Sequence, residues 1–296
     1  MDIFRPASLL TPLTGDPVLL LAVDGWTDAG AGGSTAAAAL HDAFGATPIG
    51  TFDGDALFDY RDRRPELEID RGILGELTWP EMRVDLVVPP AGPTLVTITG
   101  AEPDLSWRRA AADIVDLCTA LGIDRYVGLG SVPGPIPHTR PSPLICTGND
   151  IAAIELLGRA HEQVVVPASF QVMVEKVLGD AGLSTIGMWV RVPHYIAGAY
   201  PEASKLLLEQ LSAHLGTPVN TSPLDGEIEE SRARLELAAS GSSEVTDHVL
   251  QLERLYDAEH QARSNGDRAV SLSEEEVPSA DELAAQIEQF LRGRTD

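Results

Sequence analysis

A nearly unbroken apolar run constrains the fold of this chain more than any other feature. Residues 17–24 stay apolar until Asp24 and Gly25, which is the pattern of a strand buried on both faces of a parallel sheet. A glycine-rich connection then leads to residues 34–44, whose alanine-rich centre favours a helix. Strand, loop and helix in this order form the repeating unit of a layered α/β domain.

The same alternation continues to about residue 220. Further strands are predicted at residues 47–52, 73–79, 82–88, 94–99, 126–132, 144–147, 163–166 and 184–192. Further helices are predicted at residues 105–121, 150–160, 170–178 and 203–215. We therefore expect one α/β domain over residues 1–222.

The composition changes at the end of this domain. Residues 225–296 hold 18 acidic and 7 basic side chains and no β-branched runs, so residues 223–296 are predicted to form an acidic helical extension. Val245, Val249, Leu252 and Tyr256 recur at helical spacing, which predicts an apolar seam for a partner helix. A capping box from Ser279 to Glu282 predicts a last helix at about residues 280–292.

The charge and the cysteines restrict the class of protein. With 45 acidic and 21 basic residues the formal net charge is −24, so binding to nucleic acid or to anionic lipid is not expected. No apolar run approaches the roughly 20 residues that span a bilayer, and the N-terminal residues lack the pattern of a signal peptide. We expect a cytoplasmic protein in which Cys118 and Cys146 are core residues.

The glycine-rich loop lies where α/β proteins often bind phosphate, between a strand and a helix. Its residues do not fit that role, because no lysine occurs before Lys176 and the dinucleotide pattern fails at Thr35. Asp24 and Asp28 would also repel a phosphate group. The loop is therefore predicted to be a tight turn that packs a helix closely on a strand.

Residues 53–64 combine four carboxylates with three guanidinium groups. A calcium loop is excluded, because Arg64 occupies the twelfth position, where a bidentate glutamate is needed. Two interpretations remain. The charges form an ion-pair network anchored by Leu57 and Phe58, or Asp59, Tyr60 and Arg61 line a cleft at the sheet edge.

Two further loops follow predicted strands at the edge where open α/β sheets bind ligands. The first contains His138 and Arg140, and the second contains His194 and Tyr195. Histidine titrates near neutrality and arginine binds anions, so both loops are candidates for a ligand site as well as for rigid structural loops. The sequence contains no zinc-binding His-Glu-x-x-His motif, and Leu129 replaces the first glycine of a serine-hydrolase elbow.

Four segments together resemble the bacterial, mainly actinobacterial, branch of the proteasome assembly chaperone 2 family. They are DGWTDAG at 24–30, FDGDALFDYRDRRP at 52–65, PHTRP at 137–141 and PHY at 193–195. The resemblance covers about residues 17–215 and implies a three-layer α/β/α fold like that of phosphorylases and peptidyl hydrolases. It also implies a homo-oligomer, with a trimer as one stoichiometry. Neither a cofactor nor a metal is expected. The candidate cleft or interface residues are Asp24, Asp28, Asp53, Asp55, Asp59, Tyr60, Arg61, Arg64, His138, Arg140, His194 and Tyr195.

Eukaryotic members of that family order the α-ring of the proteasome, in part through a C-terminal tail of a hydrophobic residue, tyrosine and any residue. This chain ends in Gly293, Arg294, Thr295 and Asp296, so docking by such a tail is not expected. Contact with a proteasome α-subunit, or with another protein assembly, would use another surface.

Two hypotheses about function follow. The first is an interaction protein that forms homo-oligomers and contacts another protein assembly. The second is a small-molecule binder or enzyme in which Arg140 or Arg61 holds an anionic group and His138 or His194 acts as acid or base. Convergence of the loops on one pocket would favour the second, and dispersed, salt-bridged loops would disfavour it.

Overall fold

The computed structural model describes residues 1–158, 163–241 and 243–264. Its strands are β1 (Phe4–Pro6), β2 (Val18–Asp24), β3 (Thr47–Phe52), β4 (Glu66–Asp70), β5 (Ile73–Thr78), β6 (Met82–Val87), β7 (Leu95–Ala101), β8 (Arg125–Gly134), β9 (Leu144–Gly148) and β10 (Ser184–Pro193). Its α-helices are α1 (Gly32–Phe44), α2 (Gly54–Leu57), α3 (Trp107–Leu121), α4 (Ile151–Leu157), α5 (Phe170–Asp180), α6 (Pro201–Leu215), α7 (Asp225–Ser240) and α8 (Ser243–Ser264).

Eight of the strands form one mixed sheet in the order β1-β3-β6-β7-β2-β8-β10-β9. β2 lies near its middle and pairs in parallel with β7 and β8, and β10 is parallel to β8. β1, β6 and β9 run antiparallel to their neighbours, which makes β3 parallel to β2. The carboxyl ends of β2, β3, β7, β8 and β10 therefore meet at one edge of the sheet.

Helices cover both faces of the sheet, which explains the continuous apolar run of β2. Leu19 and Leu21 point into a core with α3 and α5, whereas Leu20 and Ala22 point into a second core with α1 and α6. A strand with two buried faces needs apolar side chains at successive positions. The predicted three-layer α/β/α architecture is confirmed.

Two glycines allow α1 to approach β8 closely. A Cβ atom at Gly33 would collide with the carbonyl oxygen of Leu129, and one at Gly32 would lie 2.6 Å from Oγ of Ser131. The loop between β2 and α1 is thus a close-packing turn, as its sequence predicted.

The predicted strand at residues 163–166 is wrong, because these residues lie outside any strand and Val165 is 98% exposed. A β-branched pattern is a local signal, and a strand forms only where the segment pairs with another strand. In the described residues β9 ends the main sheet, and residues 163–166 pair neither with β9 nor with any other strand. The structure also contains β1 and β4, which periodicity did not predict.

The helical extension packs on the α/β domain. Leu224, Ile228 and Leu235 join one of its two cores, and Val245, Val249 and Leu252 of α8 are buried against Tyr195 and Ala238. The predicted seam therefore has its partner within the same chain for these three residues. The domain boundary at residue 222 stays a prediction, and the predicted helix at residues 280–292 lies outside the described residues.

Cys118 and Cys146 are buried, as predicted. Burial in an apolar environment raises the pKa of the Cys118 thiol to about 12 and that of Cys146 to about 11. Both thiols are therefore protonated and unreactive near neutral pH. None of the helices in the described ranges is both long and apolar enough to cross a bilayer.

Candidate functional site

The candidate loops follow the carboxyl ends of parallel strands and lie along one edge of the sheet. They form two groups there. One group surrounds the loop after β3, and the other surrounds the loops after β8 and β10, under α8. Asp28 lies between the two groups, where it forms an isolated bridge to Ser131 of β8.

Asp28 caps the first turn of α1. Its carboxylate accepts hydrogen bonds from the backbone N–H of Gly33 at 2.7 Å and of Ser34 at 3.2 Å, and from the Ser34 hydroxyl. Burial raises the pKa of this carboxyl, while the bonds from Ser34 and Gly33 oppose that rise. The helix N-terminus already holds an anion that belongs to the protein, so Asp28 has a structural role here.

The loop after β3 is held by apolar anchors and ion pairs. Leu57 and Phe58 are buried, as the ion-pair interpretation predicted. Arg63 pairs with Asp24 at 2.7 Å, and Arg5 pairs with Asp53 at 3.0 Å. These contacts tie the loop to β2 and to the N-terminus.

The remaining charges of this loop are more exposed. Asp59 lies 3.5 Å from the guanidinium of Arg61, and its backbone N–H donates to Asp104. Hydrogen bonds from Arg61 lower the pKa of the Asp59 carboxyl. Arg64 is exposed.

A pocket of about 340 Å³ opens beside this loop, and we call it the aromatic pocket. Its walls are Phe52, Asp53, Gly54, Asp55, Tyr60, Trp79, Pro80 and Glu81. The rings of Tyr60 and Trp79 meet edge to face with centroids 4.7 Å apart, and the Tyr60 hydroxyl donates to Asp55 at 3.0 Å. Burial, followed by the nearby Asp55, raises the pKa of Tyr60.

The second group is a cluster of histidines around Tyr195. The Tyr195 hydroxyl accepts the backbone N–H of His138 at 2.8 Å and lies within hydrogen-bond distance of its Nδ1, at 2.7 Å. Nδ1 of His194 donates to the carbonyl of Gly134 at 3.2 Å. These bonds fix the positions of both imidazole rings.

His248 of α8 completes the cluster. Its ring lies edge to face with His194, at a centroid distance of 5.6 Å. In the described part of the chain, both ring nitrogens of His248 and Nε2 of His194 are buried without a hydrogen-bond partner. Burial lowers the pKa of His138, His194 and His248, so all three rings are neutral at pH 7.

Arg140 fastens α8 over this cluster. Its guanidinium bonds both carboxylate oxygens of Asp257 at 2.9 Å and Glu253 at 3.2 Å. The Tyr256 hydroxyl adds a bond to the carbonyl of Pro141 at 2.9 Å. The hydrogen bond to Asp257 raises the pKa of Arg140 and lowers that of Asp257.

The candidate loops do not converge on one pocket. The aromatic pocket contains no residue of the histidine cluster, and Arg140, the proposed anion-binding residue, is occupied by two carboxylates of the chain itself. No group of three or more His, Cys, Asp or Glu side chains in the described ranges is arranged to bind a metal ion. The ion pairs of Arg140 argue against its proposed role in holding an anionic ligand.

The sequence analysis missed several residues of both groups. His248 lies three residues after Val245 and four before Leu252, so helical spacing places it on the apolar seam and could have identified it. Nothing in the local sequence around Trp79 and Glu81 predicts a pocket. They lie near Tyr60 and Asp53 only because the hairpin of β4 and β5 brings the chain back to the loop after β3.

The fold and the site define an α/β/α protein in which α8, the last of the described helices, covers the histidine loops. Residues 22–239 of the chain match the family model of the PAC2 family. The chain therefore belongs to the PAC2 family, which confirms the resemblance of its four motifs to the proteasome assembly chaperone 2 family.

Solved structures of actinobacterial proteins are similar to this chain. A Mycobacterium tuberculosis protein of unknown function is 31% identical with a TM-score of 0.81, and the match covers 88% of this chain and 92% of that chain. A Corynebacterium glutamicum protein of unknown function is 28% identical with a TM-score of 0.82, covering 88% and 98%. A proteasome-assembly chaperone homologue of Mycobacterium tuberculosis is 28% identical with a TM-score of 0.72, covering 78% and 99%. No curated protein matches the sequence.

Proposed function

We propose that this protein is a non-enzymatic interaction protein that forms a homo-oligomer and contacts another protein assembly in the cytoplasm. The observation that carries the proposal is the exposed hairpin of β4 and β5. In the described residues these two strands pair only with each other, outside the main sheet.

One side of the hairpin is apolar. Leu67 stands opposite Leu77, and Ile69 stands opposite Leu74, with a register shift between the two pairs. Because Leu67 and Ile69 are two positions apart in β4, both pairs share one side, which we call the apolar face. Each is between 43 and 69% exposed. A two-stranded hairpin is barely stable by itself in water, and contiguous exposed apolar surface of this kind marks interaction sites.

A second copy of the chain is the proposed occupant of the apolar face. The apolar face of the second copy is uncharged and can pack against the apolar face of the first copy, because an isologous dimer contact uses the same surface patch on both subunits. The acidic side chains of β4, Glu66, Glu68 and Asp70, alternate with the apolar ones. They would remain in solvent when the apolar faces meet.

The proteasome α-ring is the first candidate for the other assembly. Support comes from family membership and from the neighbour described as a proteasome-assembly chaperone homologue. The residues proposed for this contact are the exposed charges of the β3 loop, Asp59 and Arg61. Crosslinked pull-down from native lysate should enrich proteasome α-subunits with the wild type and not with the variant Asp59→Ala, Arg61→Ala.

The molar mass in solution tests self-association. We expect the wild type to have a mass that is a multiple of the 31.5 kDa chain by light scattering, and the variant Ile69→Asp, Leu74→Asp to dissociate, because the charges would be buried in an apolar contact. Ile73→Asp is the matched control, since Ile73 is an exposed residue that stands opposite Asp70 in the same hairpin. A monomeric wild type, or a variant with unchanged mass, would refute self-association through this face.

A further inference from the structure

We propose that the aromatic pocket binds the guanidinium group of an arginine side chain presented by a different protein. The proposal concerns the pocket beside the hairpin and does not depend on the apolar face joining two copies. It assigns a ligand chemistry to Asp53, Asp55 and Tyr60 that the fold alone does not.

The pocket walls provide flat π surfaces. Tyr60 and Trp79 form two walls at an angle of 69°, and Phe52 and Pro80 add apolar surface. An arginine stacks its planar guanidinium on aromatic faces and packs its aliphatic stem on apolar surface.

The charged groups of the pocket are all acidic. They are Asp53, Asp55 and Glu81. Arg5 pairs with Asp53 and Arg83 pairs with Glu81, both from outside the lining, and Arg83 is shared with the buried Asp85 at 3.1 Å. Negative charge therefore exceeds positive charge at the pocket.

Asp55 is the carboxylate best placed to receive a cation. One of its oxygens accepts the Tyr60 hydroxyl, so its position is fixed. A guanidinium beside Trp79 could donate to the other oxygen, and charge-assisted bonds of this kind are stronger than neutral ones. The net charge of −24 adds long-range attraction for a basic partner.

The volume fits one side chain. About 340 Å³ lies at the lower end of small-ligand sites, which is sufficient for an arginine side chain and too small for a large cofactor. Tyr60 precedes the hairpin and Trp79 follows it, so the pocket lies at the base of the hairpin.

A titration of the full chain with N-acetylarginine amide tests the proposal. The chain contains four tryptophans, so 5-fluorotryptophan labelling gives a short ¹⁹F spectrum in which Trp79→Phe assigns the Trp79 signal. We expect a saturable shift of this signal with the arginine probe. N-acetylcitrulline amide, which has the same shape and no charge, should leave the signal unchanged.

Variants locate the binding. The double variant Asp55→Asn, Glu81→Gln should weaken binding by about tenfold or more, whereas Asp62→Asn, on the same loop outside the pocket, should not. Unchanged signals of the other tryptophans show that each variant is folded. Equal responses to both probes, or equal binding by the double variant, would overturn the proposal.

Repeating the titration on Ile69→Asp, Leu74→Asp separates this proposal from self-association. Binding to wild type and hairpin variant alike supports an accessible pocket, whatever the oligomeric state. Binding to the hairpin variant only would show that a second copy covers the pocket, and would refute an outside partner.

Discussion

At the scale of single residues, two polar side chains of α5, Glu175 and Gln171, are buried in the core. Glu175 is almost fully buried, and Gly187 leaves the space that its carboxyl fills. Gln171, one turn earlier in α5, has an amide without a hydrogen-bond partner in the described residues. Burial raises the pKa of Glu175 from 4.5 to about 7, because the charged form loses its hydration, while the Thr147 hydrogen bond opposes this.

This raised pKa predicts a pH-dependent stability. The folded state binds the Glu175 proton more firmly than the unfolded state, so the contribution is present below the unfolded pKa and is lost as pH rises through about 7. We expect Glu175→Gln to be more stable than wild type by about 2 kcal/mol at about pH 8, and nearly equal at about pH 5, in urea unfolding. Glu209→Gln, on the exposed side of α6, is the control. A constant difference between variant and wild type across this range would contradict the assignment.

At the scale of elements, α8 is the clearest case of a helix whose partner periodicity did not identify. Its seam repeats correctly in the sequence, yet the same pattern suits a partner in the chain or in another molecule. The structure resolves this ambiguity. Leu252 packs in one cluster with Tyr195, and Asp257 of α8 forms an ion pair with Arg140 of the loop after β8. α8 thus packs on the α/β domain of the same chain.

Shortening one side chain of the seam should loosen α8. Leu252 is 0% exposed, so Leu252→Ala leaves a cavity and should destabilise helix docking by about 2 kcal/mol. Leu250 on the same helix is 42% exposed, and Leu250→Ala should change stability by less than about 0.5 kcal/mol. Hydrogen exchange of the α8 amides measures both. A fall in oligomer mass with unchanged exchange would show that the seam contacts another copy instead.

At the scale of the whole molecule, the net charge of −24 opposes association between copies. The proposed self-contact is apolar, so it gains no attraction from the surface charges that surround it. Salt screens those charges over roughly 10 Å at 0.1 M. The ionic-strength dependence therefore distinguishes contacts between copies from contacts with a basic partner.

Raising the ionic strength from about 20 mM to about 300 mM should tighten self-association by roughly three- to tenfold, because repulsion between copies is screened. Binding of the arginine probe to the aromatic pocket should weaken over the same range. Sedimentation equilibrium measures the first effect and the ¹⁹F titration the second. Weaker self-association at high salt would indicate that opposite charges, rather than apolar faces, hold the copies together.

The sequence is sufficient to predict the layered α/β architecture, most strand and helix positions, and the family. These properties depend on local periodicity and on contiguous motifs, which one chain segment encodes completely. It also placed the candidate loops at one edge of the sheet. Which side chains meet there depends on the tertiary structure, since contacts such as Arg140 with Asp257 join residues 117 positions apart. Residues 163–166 show the same limit, because a local β-branched pattern predicts a strand, whereas a strand forms only where the fold pairs the segment with another strand.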